Sequence, residues 1–128
     1  MTEEAKKEFL EITDRLADLE KKRYEIRRER GLTSDRVSVI RAKLMIDIAK
    51  ARDEKGKPIY SNENLRRAAL TLQLEESEEY QRLKKRLRDL DDELATLAIE
   101  YNRLEARRGL LALEMGLIRP FSSDTAQR

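Results

Sequence analysis

The apolar positions of this chain recur at alternating spacings of three and four, the signature of helices that bury one stripe. The signal is cleanest in the C-terminal half. Tyr80, Leu83, Leu87, Leu90, Leu94, Leu97, Tyr101, Leu104, Arg108, Leu111, Met115 and Ile118 keep this spacing, with Leu at nearly every second seam position. A heptad seam of this kind predicts one helix over 78–117, roughly 60 Å long at ~1.5 Å per residue. Pro120 is expected to stop it, leaving "PFSSDTAQR" as a loose tail.

The N-terminal segment carries the same period in Phe9, Ile12, Leu16, Leu19, Arg23 and Ile26. "RERGLTSDR" then predicts a break or sharp kink. Gly31 suits the left-handed position past a helix end, and Thr33 suits an N-cap with Asp35 in the first turn. A further helix is predicted over 34–54. Its apolar residues, among them Val37, Ile40, Leu44 and Ile48, cover most of its circumference. A helix apolar nearly all round is buried on more than one side, so these four residues are expected to form an interface between copies.

"DEKGKPIYSNENLRR", residues 53–67, is the least helix-like stretch. Gly56 can end a helix, Pro58 cannot continue one, and Ser61 is a good N-cap, with Tyr60 and Leu65 at staple spacing. A helix over 62–76 is predicted to follow. The apolar stripe changes phase near "LEESEEY", where Ser77 either caps a fresh helix or marks a stutter. The turn lies near the middle of the chain, between halves of similar length. The expected fold is therefore all-α: a long antiparallel helical hairpin or coiled coil with a helical head, oligomeric. A single hairpin domain would span 1–118, its shaft pairing 3–30 with 78–117 and its head pairing 34–54 with 62–76. Residues 119–128 would be a flexible tail. A compact four-helix bundle is the competing arrangement.

Composition supports this reading. Charged residues make up 42% of the 128 positions and aromatics 5%, a mix typical of long helices rather than a large globular core. With no Cys and no His, the usual zinc sets and Cys or Ser–His nucleophiles are excluded. No cofactor is implied and a non-enzymatic role is expected. No apolar run approaches a membrane span, and "MTEEAKKEF" is too charged for a secretory signal, so no membrane contact and a cytoplasmic location are expected.

The net charge of +2 is nearly balanced, but the cations are clustered. "KKRYEIRRER" (21–30) and "RLKKRLR" (82–88) fall near each other when the halves pair. Arg23, Arg27, Arg28, Arg30, Lys84, Lys85 and Arg88 are the candidate contacts to a phosphate backbone. The plainer reading makes them flanking charges paired with Glu25, Glu29, Asp91 and Asp92. Ile59 and Tyr60 in the turn are candidate partner contacts. Glu75, Glu76 and Glu79 form an EExxE pattern that in some all-α nucleotide hydrolases holds magnesium, but no matching ExxD follows. Acidic residues also favour a helix start, so no metal site is expected.

The stretch "RAKLMIDIAKARDEKGKPIYSNENLRRAAL…EESEEY", within residues 37–80, resembles small helical accessory proteins of phage and mobile-element recombination modules. The order of elements is similar to the UvsY family of recombination mediators. That resemblance implies a non-enzymatic oligomer that binds single-stranded DNA and a recombinase or another protein. The expected function is thus an accessory or mediator in DNA recombination or repair. The alternative is a protein-binding coiled-coil adaptor or inhibitor with no nucleic-acid contact.

Overall fold

The computed structural model describes residues 2–117; Pro120, expected to stop the last helix, and the 119–128 tail lie outside the described residues. The described chain is all-helical, with a long helix pair and one shorter helix: α1 (Glu3–Lys50), α2 (Glu63–Glu76) and α3 (Glu78–Glu114). No described helix is long and apolar enough to cross a membrane.

The break expected at Gly31 does not occur. α1 runs through it, and Gly31 keeps an ordinary negative φ. Thr33, expected as an N-cap, is instead a buried side chain on the seam. One Gly costs a helix interior only about 1 kcal/mol, less than the burial of the seam residues on either side contributes.

α1 ends at Lys50, short of the expected 54, because the chain leaves it for a tight turn. Arg52 and Pro58 form an isolated antiparallel bridge, and Ile59 N–H donates to the Ala51 carbonyl at 3.1 Å. Asp53 organises the turn: its carboxylate accepts from the Lys55 and Lys57 backbone N–H groups, both at 2.9 Å. Gly56 donates to the Asp53 carbonyl and takes a φ of 78°, the left-handed position that closes a type I turn. The cap of α2 is Asn62 rather than Ser61; its side-chain oxygen accepts from Leu65 N–H at 2.9 Å. The stripe's phase change is a true joint. Ser77 ends α2, and its hydroxyl accepts from Tyr80 N–H to start α3. α3 closes before the expected 117. Gly116 at φ 70° donates to Leu113, and Leu117 donates to Ala112, the paired bonds of a Schellman cap.

The chain divides into two compact units. One holds the described residues up to Ile26 together with those from Glu93 onward. Here α1 and α3 run antiparallel around Ile12, Leu16, Leu19, Leu97 and Leu111, with Phe9, Tyr101 and Leu104 packed beside them. The other is Arg27–Asp92. Its core is Ile48 with Ala69, Leu70 and Leu74 of α2, flanked by Leu44, Tyr60 and Tyr80; Leu90 is fully buried in the same unit.

Candidate nucleic-acid interface

Ion pairs between α1 and α3 follow a heptad step in each unit. In the first, Glu8 accepts two bonds from Arg107 (2.9 and 3.0 Å), and Arg15 pairs with Glu100 at 2.9 Å. In the second, Glu29 accepts two bonds from Arg86 (2.9 and 2.8 Å), and Arg36 pairs with Glu79 at 3.2 Å. Each heptad step forward on α1 within a unit is matched by one backward on α3. Exposed pairs of this kind contribute roughly 0–1 kcal/mol each, so their larger effect is to select register.

The expected phosphate contacts separate into distinct groups. Arg23, in the first unit, is on the seam. Its side chain is 19% exposed, its guanidinium lies 5.1 Å from the Tyr101 ring centroid, and one Nη is 3.7 Å from Glu20. Its Nε is buried without a hydrogen-bond partner, which makes it an interior group rather than a surface cation. The remaining six are in the second unit. Arg30 also continues the seam spacing, and its guanidinium is held by Asp91 across the helix pair. Hydrogen bonds from Arg30 hold the Asp91 carboxyl below its ordinary range, and the same contact raises the Arg30 pKa.

Arg27, Arg28, Lys84, Lys85 and Arg88 make no ion pair among the described residues, and all but the half-buried Lys84 are exposed. Arg27 stands one turn before Arg30, Arg88 one turn before Asp91, and Lys84 one turn before Arg88. These spacings put Arg27, Lys84 and Arg88 around the Arg30–Asp91 pair, along one edge of the second unit. Four cations there surround Asp91, and Asp92 stands one turn after Arg88. The edge carrying Glu29–Arg86 and Arg36–Glu79 is matched charge for charge. Arg28 and Lys85 each follow by one residue, about 100° further round their helices, and so leave that edge.

No protein-family model, no characterised protein and no solved structure matches this chain. The site therefore stands on its own geometry.

The other candidate residues are also placed. Ile48, expected at an interface between copies, is taken up by α2 inside the second unit, with Leu44 packed against it; Val37 and Ile40 are half-buried. Of the two turn residues, Ile59 is exposed, while Tyr60 packs on the Ile48 cluster. Among the described residues no group of three or more carboxylates converges on a metal-sized site, and Glu79 turns to Arg36. Sequence reasoning missed a cleft of about 480 Å³ lined by Arg41, Arg66 and Arg67. Arg67 there pairs with Glu63 at 3.0 Å, and Arg66 donates to the Tyr60 carbonyl at 3.3 Å. The only advance signal was "NLRR", directly after the cap.

Proposed function

We propose that this chain is a non-enzymatic helical accessory protein of DNA recombination or repair, coiled-coil in character, that holds single-stranded nucleic acid by its phosphates. The observation that supports this reading is the uneven edge of the second unit. Arg27, Lys84 and Arg88 surround the Arg30–Asp91 pair, while the pairs on the Glu29–Arg86 edge leave no excess charge. Arg and Lys so placed contact a phosphate backbone without reading bases. No aromatic residue lies in 82–88, and Tyr24 is the sole one in 21–30, so stacking contributes little. The recombination role, and a recombinase or similar protein as partner, rest on the resemblance of residues 37–80 to recombination mediators.

Binding of labelled single-stranded DNA across a salt series tests it. Log affinity is expected to fall against log salt with a slope of about −0.7 per neutralised phosphate. Changing Arg27, Lys84 and Arg88 to Glu should abolish most of that binding, while Arg23→Met leaves it intact. No binding at low salt, or triple-variant binding equal to the parent's, would favour the protein-binding adaptor. That second reading has its own support in the exposed apolar residues Leu32, Val39, Met45 and Ile46 of α1.

A further inference from the structure

The burial of Ile48 by α2 leaves a different apolar face of α1 open. Leu32, Val39 and Ile46 recur at heptad spacing and are 60%, 51% and 51% exposed. They lie off the seam that packs on α3 and remain exposed in the unit. Leu32 and Val39 line one wall of a broad cleft of about 800 Å³. Large apolar side chains scattered singly on a surface need no explanation, but an aligned stripe does.

Two pairs of residues around this stripe are placed symmetrically about Val39. One heptad away on either side are Leu32 and Ile46, both apolar. One turn away on either side are Asp35 and Lys43, of opposite charge, both lining the cleft and neither in an ion pair among the described residues. Arg36, also lining the cleft, is already held by Glu79 of its own chain. Asp47 lines it too and has Gly31 as its counterpart, while Arg28 and Lys50, one turn beyond Leu32 and Ile46, are both cations.

We infer that two copies of this chain pair antiparallel through the 32–46 face of α1, about a two-fold axis at Val39. A two-fold interface must be self-complementary: whatever residue i meets, its symmetry mate meets in return. Centred on Val39, an antiparallel pairing brings Leu32 level with Ile46 of the second copy, and Asp35 level with Lys43. Val39 meets Val39. Each dimer then contains two Asp35–Lys43 contacts, and the stripe is covered along ~21 Å of helix at ~1.5 Å per residue. A parallel pairing in register would set Asp35 beside Asp35 and Lys43 beside Lys43. The inference does not depend on nucleic-acid binding, so it survives a failure of the salt-series experiment.

Sedimentation equilibrium of the full chain, with its Asp35→Lys and Lys43→Asp variants, tests the pairing. The parent should sediment as a dimer. Each variant alone should weaken the dimer roughly tenfold or more, because both contacts become like-charged. An equimolar mixture of the two should recover dimers, now of one chain of each kind, since every contact in them is again opposite in sign. That recovery also shows that both variants fold. The chain has no native Cys. Val39→Cys should therefore cross-link to a disulfide dimer on mild oxidation, and Leu10→Cys, in the other unit, should not. A monomeric parent would overturn the inference and assign the stripe to a different protein. A dimer in which Val39→Cys fails to cross-link, or in which the charge variants associate like the parent, would equally overturn it.

Discussion

Arg23 shows how much one side chain depends on the position it occupies. It falls where the heptad of Leu16, Leu19 and Ile26 demands an apolar residue, and the chain accommodates it by laying the guanidinium over Tyr101. A cation over an aromatic face contributes roughly 0.5–1 kcal/mol, but the unpartnered Nε carries a desolvation cost of about 1–3 kcal/mol. Arg23→Met keeps most of the packing and removes the orphaned donor, so thermal melting should show equal or higher stability. Arg23→Ala loses the packing as well and should melt lower. Glu8 and Asp91 behave as matched surface partners. Hydrogen bonds from Arg107 and Arg30 hold their carboxyls below the ordinary range. Folded values below the unfolded ones mean that both stabilise the fold above about pH 4, the unfolded range of Glu and Asp. That stabilisation is lost as pH falls through the lowered folded values. Carboxyl chemical shifts followed by NMR should show these two titrating below the ordinary carboxylate range on acidification.

At the scale of the element, two glycines separate local preference from tertiary demand. Gly31 looked like a stop, flanked by capping residues, yet it lies inside α1 with open space where a Cβ would stand. Gly31→Ala should raise stability by about 0.5–1 kcal/mol, read from urea unfolding. Gly56 also has open space, but its φ of 78° is one that residues with a Cβ rarely adopt. Gly56→Ala should therefore lower stability by about 1–2 kcal/mol. If both substitutions moved stability the same way, the continuous α1 or the left-handed turn would be wrong. The caps followed the same division. Ser61 and Asn62 are both good capping residues, and the helix took the one whose oxygen reaches Leu65 N–H.

In the molecule as a whole, each unit is held by leucines rather than by its ion pairs. Leu97 is buried in the first unit and Leu90 fully buried in the second. Leu97→Ala and Leu90→Ala should each cost roughly 2–5 kcal/mol, measured by denaturant unfolding. Leu10→Ala, on an exposed face, should cost a few tenths. High salt should lower stability far less than either buried change, because the inter-helix pairs are exposed and individually weak.

The all-helical character was fixed by the sequence alone. A spacing of three and four sustained along both halves can bury a continuous stripe only as a helix, and few Gly or Pro interrupt it. The turn at Gly56 and the joint at Ser77 were also readable, since each needs a residue type whose backbone or side chain does one particular thing. The ion-pair ladder was present in the sequence too: Glu8, Arg15, Glu29 and Arg36 fall on one heptad position, opposite Arg107, Glu100, Arg86 and Glu79. Reading it required knowing which helix faces which. Three features were decided only by tertiary structure. α1 continues through Gly31 because burial on both sides outweighs a local preference worth about 1 kcal/mol. Arg30 is taken from the candidate phosphate contacts because Asp91 lies across the pair, a contact between residues far apart in the chain. Ile48 turns inward because α2 folds back over it, which moves the open apolar face of α1 to Leu32, Val39 and Ile46. Periodicity shows that a helix has apolar faces; which of them stays uncovered depends on where the rest of the chain packs.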